Sequence, residues 1–552
     1  MFRVTHLRQR LSSRLAAFDL YDALAFAAFA ALAVLVCLTF NDYAISNDES
    51  VQHKYGKLIF AYYTSGFADQ RVFHYQNLYL YGGLFDVTAI VIKRFLPFFD
   101  LYDIRHVLCA FIGIGGIIAT WAVARLVAGT RAGFLALMAL AVSGMWYGTM
   151  FNHTKDVPFA AAMMGAIYFL LRGARDLPRP RVFHIFMFGL LTGCALGVRA
   201  TGLLLIGFAG LMVLLRLPEL RDWNERARFV GTSLVRALPA FVLAYVIMIA
   251  SWPWAALAPL NPVRAIFDFA HFHYSIQTLI FGEEYQMWDV PRWYIPAYLA
   301  IKLPLTVLAG AFIAMFAAVW VARRDGLLTT VRQHETAVLA FIAVFPVLCQ
   351  VIGHGPAFTG MRHFIFVVPP LAALAGIGFD MLLAQFEAKG RLIGATALAG
   401  VAGAFIANAV TLYELHPYEY VFFNPLVGMD NVSRRFDMDY WSNVIPEAVD
   451  SLEAYLNQKE HSTKTPRPRY TVGVCAERES FEKEAKDDPR LVWVEEWEHA
   501  DFFISSTQMN CDKRMNGETI ATIERLGVPI GVVKDRRAIV RPDISRNTNR
   551  PQ

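Results

Sequence analysis

The chain has 552 residues, with 51 lysines and arginines against 46 aspartates and glutamates and a net charge of +5. Hydrophobic residues make up 56% and charged residues only 18%, where a soluble globular domain carries about a quarter charged. That balance excludes a wholly water-soluble protein, and no basic tract is suited to nucleic acid.

The basic start MFRVTHLRQRLSSR leads into the apolar run Tyr21–Phe40. The run is too long for a signal peptide and no small-x-small cleavage site follows it, so it reads as a retained first membrane helix. About 20 apolar residues are needed to cross the hydrocarbon layer. That rule predicts about eleven spans, near 21–40, 104–127, 132–149, 157–172, 183–198, 200–216, 229–252, 294–321, 335–352, 361–383 and 391–411. With the N-terminus in the cytoplasm, the loops RLVAGTR, RGARDLPRPR, RLPELRDWNERAR, RRDGLLTTVRQ and EAKGR are cytoplasmic and all basic. The opposite short loops FNHTKDVP, GVRATG and GHGPAFTGMRH carry one lysine or arginine each. This is the positive-inside pattern, and it supports an odd number of spans. Leu78–Ile92 is short and holds Gly82, Gly83 and Asp86, which fits a surface or re-entrant helix.

Residues 1–412 thus form a membrane part with two large extracytoplasmic segments, 41–103 and 253–293. In the first, VQHKYGKLIFAYY places Val51, Tyr55, Leu58, Ile59 and Tyr62 on one helical face, with Gln52, Lys54 and Lys57 elsewhere, as in a helix lying in the headgroup layer. The second holds WPW, HFHY and FGEEYQMW, whose aromatics favour the same interface. Residues 413–552 are polar, with short β-type runs YTVGV, LVWVE, DFFISS and IGVVK and a helical EAVDSLEAYLNQ. The fold class is therefore mainly α, a polytopic membrane protein with a small C-terminal α/β soluble domain outside the cytoplasm. Cys37, Cys109, Cys194 and Cys349 sit in apolar runs as small core residues. Cys475 and Cys511 follow β-type runs on the side where disulfides persist, which predicts a bond between them.

Several polar groups fall on the extracytoplasmic side. Asn47-Asp48-Glu49 offers an acidic pair that can take a proton and anchor an acceptor; Ser46-x-x-Glu49 equally fits a capping box. Asn152-His153-Thr154-Lys155-Asp156 brings an amide, an imidazole, an ammonium and a carboxylate to one loop, although Asp156 before Pro158 also suits a helix start. Arg199 and the pair Arg362-His363 stand among apolar residues, either snorkelling or binding an anion such as a lipid phosphate. His271 and His273, two apart, diverge on a helix and suit hydrogen bonds to a sugar or phosphate better than a shared metal. Metal ligands are unknown at this level and no cofactor is assigned; the chemistry leaves room for a divalent metal without requiring one.

Taken in order, NDES, NHTKDVPFA, WYIPAYLAIKLPL, RHFIFVVPPLAALAG and HPYEYVFFNPLVG…DYWSN resemble the GT-C superfamily of membrane glycosyltransferases. Within it they are most similar to the branch of protein O-mannosyltransferases and lipid A aminoarabinose transferases. The resemblance spans roughly residues 20–455. It implies inverting transfer of a sugar from a polyprenyl-phosphate donor to a glycan, lipid or protein acceptor at the outer face of the cytoplasmic membrane. Carried over by position, Asp48 is the catalytic base, Glu49 holds the acceptor, Asp156 is a second acid and Arg362 a phosphate ligand; Lys155, Arg199 and His363 are added from position and charge. No β-trefoil insert of the eukaryotic mannosyltransferase kind is recognisable, a departure from that pattern that leaves a protein acceptor as one of the three alternatives. The competing class is a transporter or flippase for a lipid-linked or anionic substrate. Against it stand the lack of repeat symmetry and the bulk on one side; a third reading is an inactive scaffold. Beyond donor and acceptor, the only expected partners are membrane lipids.

Overall fold

The computed structural model of the protein describes residues 19–271, 274–325, 330–427, 431–459 and 468–541. The basic N-terminal stretch, His273 and part of the loop before residue 330 therefore lie outside the described residues. Among the described residues eight helices are long and apolar enough to cross a membrane, nine if one bent pair counts as a span. Two shorter apolar helices accompany them.

In chain order the helices are α1 (Leu20–Thr39), α2 (Glu49–Thr64), α3 (Leu84–Phe95), α4 (Leu101–Ala128), α5 (Thr130–Ala141), α6 (Asp156–Ala174), α7 (Val182–Leu196), α8 (Leu204–Leu214), α9 (Trp223–Ser251) and α10 (Asn261–Ala270). After a hairpin of β1 (Gln277–Ile280) and β2 (Glu283–Gln286) come α11 (Tyr294–Lys302), α12 (Leu305–Asp325), α13 (Val331–Gly353), α14 (Val368–Lys389) and α15 (Arg391–Leu415). Every predicted span overlaps an apolar helix, but 132–149 and 183–198 meet the two shorter ones and 294–321 covers two helices. The helix over 84–95 overlaps the segment 78–92 read as lying on or re-entering the membrane.

Two predicted spans are broken, for identifiable reasons. The run 294–321 bends by 114° between α11 and α12. Pro304 supplies no N–H and holds Leu303 extended, at φ −88° and ψ 143°. The run 132–149 stops at Ala141 because the chain returning from α15 packs directly on residues 144–148. A Cβ on Gly144 would collide with the Glu419 carbonyl, and one on Gly148 would stand 2.5 Å from the Tyr420 nitrogen.

Burial separates a centre from a rim. The apolar stretch of the span at Arg362–Lys389 is 78% buried within protein and that at Asp156–Ala174 72%, against 11% at Arg391–Leu415 and 17% in the first span. The centre is close-packed because α14 presents glycine to both neighbours. A Cβ on Gly376 would enter the α5 backbone at Ala132, and one on Gly378 the α12 backbone at Gly310.

The C-terminal region carries α16 (Ile445–Lys459), β3 (Tyr470–Cys475), α17 (Arg478–Glu484), β4 (Leu491–Trp493), β5 (Phe502–Ser506), β6 (Glu518–Arg525) and β7 (Val528–Asp535). The sheet order is β4-β3-β5-β7-β6. β3 pairs in parallel with β4 and β5, while β7 pairs antiparallel with β5 and β6. Leu526 and Gly527 turn the β6–β7 hairpin at φ 52° and 74°, the positive pair of a type I′ turn. Cys475 and Cys511 are bonded, with Cα atoms 6.6 Å apart.

α17 docks on the start of α4. Lys483 Nζ lies 2.7 Å from Asp103 Oδ1, and the Tyr102 hydroxyl donates to Glu479. The link between α15 and α16 does not stay apart from the membrane helices. His416 bridges Asp42 at 2.9 Å and Glu419 at 2.7 Å, and Asn152 Nδ2 donates to Asn443 Oδ1 at 2.9 Å.

Candidate functional site

The turn after α1 sets the first acid. The Ser46 N–H donates to Glu49 Oε2 at 2.9 Å, and the Ser46 hydroxyl reaches the same oxygen at 3.2 Å. Glu49 is thereby folded back over the start of α2, one arm of the predicted capping box. Asp48 makes no capping bond. Its Oδ2 accepts from Arg362 Nη2 at 2.7 Å, across 314 residues of sequence.

Arg362 sits at the entry to α14, with Nε 3.4 Å from Asp156 Oδ2. Asp156 opens α6 and pairs through its other oxygen with Arg199. Lys155, also buried, holds its ammonium 4.3 Å from the centre of the Tyr81 ring. Four separate stretches of chain thus deliver Asp48, Lys155, Asp156, Arg199 and Arg362 to one place. Burial alone would raise the Asp48 carboxyl, but Arg362, Lys155 and Arg199 outweigh it and hold it below the ordinary carboxylate range. Burial pulls the Lys155 ammonium down, against the opposing pull of Asp48 and Asp86.

Glu49 faces elsewhere, since successive helical residues point about 100° apart. Its carboxylate is fully buried, 3.5 Å from Arg105 Nε and 3.3 Å from His106 Nε2. Arg105 also pairs with Asp86 at 2.9 Å and donates to Thr154 Oγ1 at 3.1 Å; Thr154 donates to Gln52 Oε1 at 2.7 Å. Gln52, assigned above to the side away from the apolar face, is therefore buried: the polar side of α2 turns onto this charge layer.

A wall comes from beyond the last span. The Arg362 guanidinium lies 4.3 Å from the centre of the Trp441 ring, a cation–π contact. Trp441 Nε1–H donates to His153 Nε2 at 2.7 Å, and His153 Nδ1 lies 3.0 Å from Asn152 Oδ1. An indole N–H can only donate, so His153 is the neutral Nδ1–H tautomer. Asn47 Nδ2 donates to the Tyr440 carbonyl at 3.3 Å.

His363 borders the cluster, within the field of Arg362, Arg199 and Lys155, with its ring turned onto Phe358, ring centres 4.7 Å apart. His271 is exposed at the end of α10, its Nδ1 2.8 Å from the Phe267 carbonyl; His273 lies outside the described residues. Among the described residues no group of three or more His, Cys, Asp or Glu side chains is arranged to hold a metal ion, so no metal ligand is assigned. Sequence reading missed Asp86, Arg105, His106 and Trp441. Arg105-His106 inside an apolar span was a readable sign of a polar site. Trp441 stands in DYWSN, one of the stretches that carry the resemblance, but nothing there gave the tryptophan a role of its own.

Among solved structures, apo ArnT from Cupriavidus metallidurans is similar at 16% identity, covering 96% of this chain and 99% of that one, with a TM-score of 0.47. The same protein bound to undecaprenyl phosphate gives 15%, 93%, 98% and 0.45. The oligosaccharyltransferase AglB from Archaeoglobus fulgidus, in complex with an inhibitory peptide and a dolichol-phosphate, gives 10%, 88%, 70% and 0.47. Likenesses this distant assign no residue. No curated protein matches the chain. Residues 102–252, the stretch that supplies Arg105, Lys155, Asp156 and Arg199, match the family of dolichyl-phosphate-mannose-protein mannosyltransferases, and over that stretch the resemblance to membrane glycosyltransferases read from the sequence is met by a family match.

Proposed function

We propose that the protein transfers a sugar from a polyprenyl-phosphate donor to an acceptor hydroxyl or amine at the extracytoplasmic face of the cytoplasmic membrane, with inversion at the anomeric carbon. The observation that carries this reading is the Asp48–Arg362 contact inside a nest of buried cations. In the reaction the acceptor attacks the anomeric carbon, the bond to the phosphate oxygen breaks, and the acceptor's proton passes to Asp48. Arg362, Arg199 and Lys155 stabilise the charge left on the phosphate. With Arg362 against it Asp48 is a weak base. A donor phosphate competes for the guanidinium, so Asp48 becomes basic once donor is bound.

An apolar cleft of about 590 Å³ begins at Leu84, Phe85, Pro158 and Val198 and runs between α4, α6 and α7. It is suited to an isoprenoid tail whose phosphate stays at the cations. The C-terminal sheet and its disulfide are taken as extracytoplasmic, where such bonds persist.

The test is Asp48→Asn in purified protein given a polyprenyl-phosphate sugar. The amide keeps the shape and takes no proton, so transfer falls by about 10²–10⁴-fold. Unchanged turnover would remove Asp48 from the chemistry.

A further inference from the structure

A second apolar cavity lies at the other end of the bundle. It has a volume of about 400 Å³ and runs between α6, α7, α8 and α9, lined by Phe169, Leu177, Phe188, Met212 and Phe241 among others. Phe169 also borders the cleft described above. Along α6, Phe169 is thirteen residues from Asp156, or about 20 Å at 1.5 Å per residue, so this cavity is not the surroundings of the acid–cation cluster.

Two features make it more than a gap between helices. His184 and Ser233 line it, both more than nine-tenths buried, and His184 Nδ1 and Ser233 Oγ have no hydrogen-bond partner among the described residues. Buried polar atoms of this kind cost free energy until a ligand group meets them. Its rim is formed by Gly173, Ala174, Leu177 and Pro180. Their chain neighbours are Arg172, Arg175, Arg179, Arg181 and Asp176; Arg175 is paired with Glu335 at 2.7 Å and Arg181 Nε lies 3.5 Å from Asp176. The rim is basic and the interior apolar.

We infer that this cavity is a binding site for an anionic phospholipid of the leaflet at the basic-loop end, an acyl chain inside and the headgroup phosphate at the arginines of the α6–α7 loop. Charge complementarity decides the occupant. A zwitterionic lipid would fill the interior equally but gain little from the rim, whereas each basic residue near an anionic lipid headgroup contributes favourably. The ester oxygens below the phosphate give His184 and Ser233 the partners they lack.

The experiment is native mass spectrometry of the full-length protein in detergent, titrated with phosphatidylglycerol or with phosphatidylcholine of the same acyl chains. Wild type retains phosphatidylglycerol more tightly by roughly tenfold or more. Arg179→Gln with Arg181→Gln, both on exposed side chains, brings the ratio towards one and leaves phosphatidylcholine binding alone. Ala237→Phe, or Ala209→Phe from the facing helix should the first not fold, fills the interior and lowers retention of both lipids. Equal wild-type affinity for the two lipids overturns the inference. So does a folded filling variant that keeps the wild-type preference.

Discussion

Asp48 and Glu49 are neighbours in the chain and belong to two different layers of charge. The Asp48 layer joins Asp156, Arg199 and Arg362, and the Asp48 side chain remains 34% accessible. The Glu49 layer joins Asp86, Arg105 and His106, and both Glu49 and Arg105 are at 0%. An acid that must meet a substrate has to be reachable; an acid sealed against an arginine inside a helix bundle holds helices together. Accessibility thus separates the two neighbouring acids, and under the proposed function Asp48 is the reachable one; their partners do not divide this way, since Asp156 and Asp86 are both buried, at 4% and 3%.

The sharpest way to break this comparison is to exchange the lesions. Asp48→Asn should lose about 10²–10⁴-fold in transfer rate with its melting temperature close to wild type. Arg105→Leu should do the reverse. It removes the guanidinium shared by Glu49 and Asp86, and breaking a buried pair costs about 3–5 kcal/mol, read as a lower melting temperature or loss of folded protein in detergent. A folded Arg105→Leu variant with intact stability and no transfer would merge the two layers into one catalytic unit.

A smaller effect tests the cover over the Glu49 layer. The Cys475–Cys511 bond pins the end of β3, from which α17 leads to Tyr102 and Asp103. The sequence separation is 36, for which chain entropy gives about 3–4 kcal/mol. Cys511→Ser should lower the melting temperature of the C-terminal region and speed its proteolysis. The rate of transfer by protein that remains folded should hold.

The smallest effect concerns the link between α15 and α16, where His416 bridges Asp42 and Glu419. Burial alone would lower the His416 ring, but Glu419 and Asp42 prevail and lift it above the ordinary value of 6.5. A raised folded-state value stabilises fully below the unfolded one and fades as pH climbs through the folded one. The melting temperature should therefore decline as pH rises above about 6.5, and His416→Gln should flatten that slope. A slope unchanged in the variant would assign it to other groups.

Much of this was legible. Apolar runs and loop charge located the helices, and the four β-type runs YTVGV, LVWVE, DFFISS and IGVVK are β3, β4, β5 and β7. β6 escaped because ETIATIER is an edge strand, mostly exposed, and so lacks the apolar alternation that marks a strand. Asp48, Asp156, Arg199 and Arg362 were nameable because ionisable groups stand out among apolar residues. The separation of Glu49 from Asp48 was not, since it depends on where Arg105 and His106 project from α4. Trp441 was hidden for a different reason: its importance comes from a ring placed under Arg362 by His153, and a pairwise contact between distant segments leaves no local periodicity.

That tryptophan also arrives late in synthesis. The wall closes through bonds such as Asn47 to the Tyr440 carbonyl, 393 residues apart, and it lies on the chain after α15. During synthesis every membrane helix has left the ribosome before the wall exists. A nascent chain therefore holds Asp48 and Arg362 without the ring that stands over the guanidinium. The finished pocket forms only after residue 441 has been made, and a product that ends between α15 and residue 441 lacks the wall.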